Sequence, residues 1–340
     1  MPDNITFRTH LIGSISDFTD ACDMGELVRP SILVELIVSL ARYQEEGVTL
    51  CPEVYLCEEL TNMLLMMPGS GSLPIGHVDI SDGAIKEVLK KCAPLALDGW
   101  KIYVEGNGDF GLFRDSLNPL NIPVEETLLS NVGAEMRVVR VFQIANDCVE
   151  IRSYCGGFHN IYLSHKRETE PSPERYLGDL VETISDKVLA LEKDTVRTFL
   201  KKSLREGLRE SHGALIAVVR GQTLPALFSD GIQLSNSIDF AAKILERHES
   251  NFQHTTLSAL GSLLKGMLNS DGILVFTRDA KLLAYNCFVK SSKSNERGAV
   301  GGARRRAYGV LCEKLNRGTY AAFIQSQDGW TDFRKVDDGQ

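Results

Sequence analysis

Apolar and polar positions repeat with two different periods in the first half of the 340-residue chain. Helical spacing comes first, and from Gly99 the period shifts to two, with a glycine-rich turn that is typical of a β-hairpin. Residues 1–165 are therefore predicted to form an α+β module with a mostly antiparallel sheet. The expected helices cover 30–41 and 52–67, and the expected strands cover 100–104, 110–114, 136–144, 148–154 and 159–163.

A charged, proline-bearing stretch at 166–174 is the best linker candidate in the chain. A long helical pattern follows from Glu174 to about Glu210, and its apolar spacing begins near a heptad and then slips. Residues 166–210 are assigned to a linker and a connecting helix. Two interpretations of this helix stay open: it joins or dimerises two modules, or it packs along its own domain.

After Gly213 the pattern alternates between strands and helices, which is typical of a mixed sheet with helices packed on it. Residues 211–336 are therefore predicted to form an α/β domain with a mixed central sheet and flanking helices. The polar loop 290–302 is either a lid over a phosphate site or a solvated surface loop. The expected strands are 213–219, 272–277, 282–289 and 320–326, and the expected helices are 236–247, 254–268 and about 303–315.

Composition and charge narrow the class of protein. A net charge of −8 argues against bulk electrostatic binding to DNA or to an anionic membrane. Basic residues cluster only locally, over 290–306, which indicates a confined anionic ligand. No apolar stretch is long enough to span a bilayer, and the N-terminus lacks the features of a signal peptide. Eight cysteines without a close CxxC pair indicate free thiols, so we expect a cytoplasmic protein with neither DNA nor a membrane as partner.

Two short pieces about thirty residues apart carry the candidate chemistry. Asp271-Gly272-Ile273 predicts an acid at the mouth of a buried strand, where the missing Cβ lets a ligand or metal approach the backbone. Residues 301–307, Gly-Gly-Ala-Arg-Arg-Arg-Ala, predict a glycine-rich turn that opens a helix, with free N–H groups and three guanidinium groups aimed the same way. An acid able to hold Mg²⁺ or Mn²⁺ beside a polyphosphate cradle is the minimum equipment for nucleotide chemistry.

Two other features are interpreted as structural. Asp82-Gly83-Ala84 is followed by helical rather than strand period, so Asp82 is predicted to cap a helix. His159 and His165 are candidate metal ligands, but no third ligand is apparent in the sequence, and ordinary polar histidines are the favoured alternative.

Both short pieces resemble motifs of one family. Asp271-Gly272-Ile273 resembles the Asp-Gly-Ala motif of diadenylate cyclase (DAC) domains, and residues 302–307 resemble their Gly-Thr-Arg-His-Arg-Ala motif. Segments 213–219, 282–287 and 322–329 are similar to strands of that domain in the same order, so the resemblance covers roughly the last 130 residues. The N-terminal module resembles, by its architecture, the sensor domains found ahead of DAC domains.

The resemblance implies an enzyme that condenses two ATP molecules into cyclic di-AMP with release of pyrophosphate. Because each domain holds one ATP, at least a face-to-face dimer of this chain is implied. Asp271 would hold Mg²⁺ or Mn²⁺ and take part in catalysis, while Arg304 and Arg306 would clamp the triphosphate. The resemblance also places nucleotide contacts at Gly272, Ile273, Gly301, Gly302, Ala303, Arg305 and Ser326, and a second metal ligand at Asp328.

Three departures from the family pattern keep other functions open. Ala303 replaces a threonine, Arg305 replaces the histidine, and Gln327-Asp328 replaces a pair of glutamates. Binding should survive these changes better than catalysis, so the alternative function is a module that binds a nucleotide or cyclic dinucleotide without turnover. In a third interpretation Asp271 only caps a strand, and the arginines form a solvated helix face.

Overall fold

The chain mixes helix and strand and divides into two compact units. Residues 1–117 and 121–169 form unit 1, and residues 118–120 and 170–340 form unit 2. This combination of helices with mixed sheets confirms the predicted mixture. A computed structural model describes residues 7–67, 69–114, 124–129, 136–145, 148–163, 173–246, 253–289, 302–326 and 330–336.

Unit 1 is built on a seven-stranded sheet in the order β4-β6-β5-β3-β7-β8-β9. Only β3 and β5 pair in parallel among these neighbours, so the predicted antiparallel character is confirmed. The elements of unit 1 are helices α1 (Phe7–Cys22), α2 (Pro30–Leu40), α3 (Leu60–Leu65), α4 (Ala84–Cys92) and α5 (Val124–Leu129), and strands β1 (Gln44–Glu45), β2 (Val48–Thr49), β3 (Glu53–Cys57), β4 (Gly71–His77), β5 (Trp100–Glu105), β6 (Asp109–Arg114), β7 (Val138–Ala145), β8 (Cys148–Ser153) and β9 (Phe158–Tyr162), with 3₁₀ turns at Gly25–Val28 and Ala93–Leu95.

The helix predicted over 52–67 is wrong. Its first part is the central strand β3, and only Leu60–Leu65 is helical. Val54 and Leu56 are buried in the core beneath α1, α2 and α4, while Tyr55 is buried in the core on the opposite face of the sheet. A strand that is covered on both faces has a continuous apolar run, which resembles a buried helix in sequence.

The helix that follows Asp82 is confirmed, but the predicted cap is wrong. Gly83, at φ +95°, is the N-cap residue of α4, and its N–H donates to Glu35 Oε2 at 3.0 Å. The Asp82 carboxylate instead accepts a hydrogen bond from Arg29 Nη2 at 3.4 Å.

Of the two candidate histidines, His159 lies on β9, and its ring is edge-on to that of Phe18 with 5.6 Å between the ring centroids. His165 lies outside the described residues.

Unit 2 contains a seven-stranded mixed sheet in the order β11-β14-β13-β10-β15-β16, with β12 also paired to β14. Strands β10 and β13 run parallel, and the other neighbours run antiparallel. Helices α6 to α9 pack on one face of this sheet and α10 on the other. The elements are α6 (Pro173–Ile184), α7 (Ala190–Glu210), β10 (Ala214–Val219), β11 (Phe228–Ser229), β12 (Ile232–Asp239), α8 (Phe240–Leu245), α9 (Gln253–Asn269), β13 (Ile273–Thr277), β14 (Lys281–Val289), α10 (Ala303–Glu313), β15 (Ala321–Gln325) and β16 (Thr331–Lys335).

The single long helix predicted from Glu174 to Glu210 is broken into α6 and α7. Two backbone hydrogen bonds hold the break against the turn between β13 and β14: Ala280 N–H donates to the Ile184 carbonyl at 2.9 Å, and Lys187 N–H donates to the Arg278 carbonyl at 2.8 Å. Both helices bury their apolar faces in the core of unit 2. Of the two open interpretations, the structure therefore has the helix packed along its own domain.

The remaining differences between prediction and structure in unit 2 concern β12, α8 and β16. The helix expected over 236–247 begins only at Phe240, because the preceding residues form β12. The Asp239 carboxylate then caps α8 by accepting the Ala242 N–H at 2.9 Å. Strand β16 was not predicted. None of the helices in the described ranges combines a membrane-spanning length with the apolar composition that a span requires.

Candidate functional site

One edge of the unit 2 sheet gathers most of the predicted site residues. In the strand register, Leu215 pairs with Ile273 and Ile273 pairs with Cys287. Ala214 pairs with Gln325 on the other side. The starts of β10 and β13 therefore share an edge with the ends of β14 and β15. We call this the Asp271 edge.

Asp271 and Arg304 meet at this edge. Asp271 Oδ1 accepts the N–H of Gly272 at 3.1 Å and lies 3.5 Å from Arg304 Nη2. Arg304 Nη1 donates to the carbonyl of His212, just before β10, at 2.6 Å. The Asp271 side chain is 79% exposed and that of Arg304 is 35% exposed. An ion pair this open contributes only about 0–1 kcal/mol, so a ligand can separate it.

Gly272 is required by the protein's own backbone. Its φ is +105°, and a Cβ there would lie 2.7 Å from the carbonyl carbon and 2.9 Å from Oδ1 of Asn286. Ile273 pairs with Cys287 but Val275 pairs with Ala284, so β14 bulges at this point. The space that the sequence analysis assigned to an approaching ligand or metal is therefore occupied by the β14 bulge.

Arg304 and Arg305 of α10 contact different groups, so the prediction of three guanidinium groups aimed the same way is wrong. Arg304 Nη2 lies 3.5 Å from Asp271, whereas Arg305 places its Cζ 4.4 Å from the centre of the Trp330 ring. Consecutive residues are about 100° apart around an α-helix, which separates these two side chains. Arg306 is exposed, and no hydrogen bond or ion pair joins its side chain to another described residue.

The N-terminus of α10 is open to solvent. The helix begins at Ala303 with Gly302 as its N-cap residue, and both are exposed. The Gly302 carbonyl accepts the Arg306 N–H at 3.2 Å. The first N–H groups of a helix have no partner within it and lie at the positive end of the helix dipole, so this end can bind an anion. Gly301 lies outside the described residues.

Contacts within the protein hold the side chains of Ser326 and Ile273, two of the predicted nucleotide contacts. The N–H and the hydroxyl of Ser326 both donate to the Trp330 carbonyl, at 2.7 and 3.0 Å, and close the turn between β15 and β16. The Ile273 side chain is 2% exposed and belongs to the core beneath α10, so only its backbone can contact a ligand. Asp328 lies outside the described residues.

Sequence reasoning missed two residues at this edge. Asn286 has a positive φ of +52°, and its buried Oδ1 has no hydrogen-bond partner among the described residues. Asparagine tolerates this conformation better than most residues, so an asparagine inside an apolar strand pattern was the available signal. Trp330, which supports Arg305 and contacts Tyr308 edge-on with 6.2 Å between ring centroids, has no such signal.

The residues fit a divalent cation that a substrate helps to hold. In the part of the chain that the structure describes, no group of three or more His, Cys, Asp or Glu side chains could bind a metal ion. Mg²⁺ is commonly held by one or two carboxylates together with phosphate oxygens and water. The exposed carboxylate of Asp271 suits such a site, and Asp328 lies outside the described residues.

Comparisons with known proteins add little. No family model matches the chain, and no curated protein matches it. Among solved structures, the chain is similar to the hypothetical membrane spanning protein from Bacillus cereus, at 22% identity and a TM-score of 0.29. The similarity covers 41% of this chain and 58% of that protein. A TM-score this low does not establish a shared fold.

Proposed function

We propose that unit 2 is a diadenylate cyclase-like nucleotidyltransferase that condenses two ATP molecules into cyclic di-AMP and releases pyrophosphate. The observation that supports this is the 3.5 Å contact between Asp271 and Arg304. Two pieces of sequence that resemble two motifs of one family, 33 residues apart (304 − 271), lie side by side at one edge of a mixed sheet. Unit 1 is proposed to regulate this activity.

In this proposal the chain binds and orients the triphosphate. Arg304 exchanges its exposed contact with Asp271 for phosphate oxygens, and Arg306 provides a second guanidinium group. The N–H groups that follow Gly302 donate to the same phosphates. These donors stabilise the negative charge that grows on the departing pyrophosphate.

The reaction joins each 3′ oxygen to the α-phosphorus of the other ATP. Each new P–O bond replaces the bond to the β-phosphate, and the 3′ proton leaves to water. Asp271 would hold Mg²⁺ or Mn²⁺, which when bound lowers the pKa of the attacking hydroxyl and neutralises phosphate charge. Because each domain presents one ATP, two copies of the chain must face each other.

The test is incubation of the full-length protein with ATP and Mn²⁺ or Mg²⁺, with products identified by mass spectrometry. We expect cyclic di-AMP from the wild type and none from Asp271→Asn. Arg306→Ala should weaken ATP binding strongly, whereas Arg317→Ala, an exposed arginine in the loop after α10, should not. Product from Asp271→Asn at the wild-type rate would refute the assignment of Asp271.

A second candidate function is nucleotide binding without turnover. It is favoured by a hydroxyl that is already engaged, because Ser326 Oγ donates to the Trp330 carbonyl at 3.0 Å. Ala303 also has no hydroxyl to offer. Saturable binding of ATP or a cyclic dinucleotide that is lost in Arg306→Ala, with no product under any metal condition, would decide for this function.

A further inference from the structure

A cavity lies at the edge of the unit 2 sheet opposite the Asp271 edge. It has a volume of about 210 Å³ and is lined by Arg220, Gly221, Thr223, Asn316, Gly318 and Thr319, among others. Arg220 directly follows β10, whose last residue, Val219, pairs in parallel with Thr277 at the end of β13. The carboxyl ends of parallel strands are a common place for ligands in α/β proteins.

Each polar side chain that lines this cavity can donate a hydrogen bond. Arg220 is exposed, and its Nη2 donates to Asn316 Oδ1 at 2.8 Å. This contact occupies the oxygen of the Asn316 amide and leaves its NH₂ group for another acceptor. Thr223 adds a second donor, and no carboxylate lines the cavity in the described part of the chain. A donor-rich lining with a guanidinium group and no acid suits an anion.

Two arginines beside Tyr320 give the surroundings of the cavity a positive charge. The Cζ atoms of Arg220 and Arg278 lie 5.2 and 3.9 Å from the centre of its ring. Arg278 pairs with Asp186, and Asp279 contacts Gln222 and Lys281, so these two acids are already engaged. Arg220 has no carboxylate partner among the described residues, and its charge remains for a ligand.

Thr319 provides an independent observation. It lines the cavity, it is 1% exposed, and its hydroxyl is buried without a hydrogen-bond partner among the described residues. A buried hydroxyl without a partner is unfavourable, and such a group in a folded protein calls for an explanation. Because Thr319 lines the cavity, an acceptor bound there could give this hydroxyl the bond that it lacks.

We propose that this cavity binds a tetrahedral oxyanion such as phosphate. The Arg220 guanidinium supplies the charge, and the Asn316 amide and the hydroxyls of Thr223 and Thr319 supply further donors. The site is separate from the Asp271 edge, because Arg220 follows the end of β10 while Asp271 precedes the start of its parallel neighbour β13.

The first experiment is calorimetric titration of the full-length protein with inorganic phosphate at constant ionic strength. Wild type should bind phosphate saturably, and Arg220→Gln should bind it about tenfold or more weakly. Lys86→Gln, which removes an exposed lysine of α4 in unit 1, should bind like wild type. Absence of saturable binding, or wild-type binding by Arg220→Gln, overturns the proposal. Binding that is lost in Arg306→Ala and kept in Arg220→Gln would place the ion at the Asp271 edge and also overturns it. Binding of acetate as tight as that of phosphate overturns the assignment to a tetrahedral ion.

The second experiment uses Thr319→Val, which keeps the shape but removes the unpaired hydroxyl. Without phosphate its Tm should equal or exceed that of wild type, and the rise in Tm that phosphate gives wild type should shrink. Thr277→Val is the matched control, because the buried Thr277 hydroxyl accepts the Lys281 N–H at 3.1 Å, so its Tm should fall. A Tm loss in Thr319→Val like that in Thr277→Val would give the hydroxyl a structural role and overturn the proposal.

Discussion

At the scale of single residues, the backbone of Gly272 leaves no room for a side chain. A residue with a side chain at φ +105° costs about 1–3 kcal/mol, and forcing a Cβ to within 2.7 Å of the Asn286 backbone adds strain. We therefore expect Gly272→Ala to lower the free energy of unfolding by at least about 2 kcal/mol. Urea denaturation followed by circular dichroism measures this change.

Gly266→Ala is the matched control. Gly266 lies in α9 at an ordinary φ, and a Cβ added there would meet no described atom within 4 Å. Alanine at this position should raise the free energy of unfolding by about 0.5–1 kcal/mol. If the two substitutions have equal effects, the bulge of β14 does not constrain Gly272.

Cysteine reactivity should follow exposure. Cys155 is exposed, whereas Cys22 is buried and its burial raises the pKa of the thiol to about 12. The thiolate is the reactive form, so at pH 8 only roughly 1 in 10⁴ of the Cys22 thiols is ionised. Iodoacetamide at pH 8 should alkylate Cys155 first, and Cys22 should react only after denaturation. Peptide mapping by mass spectrometry checks this, and early alkylation of Cys22 would contradict the packing of α1.

Residues of the candidate site differ in how well the sequence predicts them. The sequence could single out Asp271, Gly272 and Arg304, because an acid followed by a glycine, and paired glycines followed by arginines, are local patterns. Their contact, and the divergence of Arg305, depend on how α10 packs on the sheet. Asn286 is important because it lies at the bulge of β14. A bulge depends on how two strands pair, which no local sequence pattern encodes.

At the scale of elements, periodicity predicts an element well where one face is polar. Helix α2 has such a pattern and was predicted, whereas the hairpin of β5 and β6 was predicted from its glycine-rich turn, although both strands are buried on both faces. Strand β3 is apolar on both faces because it lies in the middle of its sheet, so its sequence did not distinguish it from a helix. The break between α6 and α7 depends on hydrogen bonds to residues almost a hundred positions away.

Helices α6 and α7 are joined by a half-buried ion pair. Arg205 Nε donates to Glu174 Oε2 at 3.1 Å, its Nη2 contacts the other carboxylate oxygen, and the two side chains are 10% and 16% exposed. Glu174→Gln should lower the free energy of unfolding by about 1–3 kcal/mol, because it replaces the charged acceptor of a shielded guanidinium with a neutral amide. Chemical denaturation measures the loss.

Glu182→Gln serves as the control on the same helix. Glu182 is 64% exposed and lies 3.5 Å from Arg197. Pairs this exposed contribute little, so the free energy of unfolding should change by less than about 0.5 kcal/mol. A loss as large as that of Glu174→Gln would show that exposure does not rank these two pairs.

At the scale of the whole molecule, composition and the charged segment at 166–174 suggested two domains, and the structure has two compact units that divide between 169 and 170. The sequence did not show on which side α6 and α7 belong. Their pattern fits a free connecting helix as well as a packed one, and only the three-dimensional core distinguishes the two. In the structure both helices share a core with the unit 2 sheet.

This arrangement predicts how fragments of the chain behave. A fragment of residues 170–340 keeps α6, α7 and the sheet together, so it should unfold in a cooperative thermal transition. A fragment of residues 211–340 lacks both helices and exposes the sheet face that they cover, so it should aggregate or lose its fixed tertiary structure. Near-ultraviolet circular dichroism and calorimetry of the two fragments measure this. A cooperative transition in the shorter fragment, at the same Tm, would make α6 and α7 dispensable connectors. The buried residues that carry the prediction are Leu177, Leu180, Ile184, Phe199, Leu200 and Leu204.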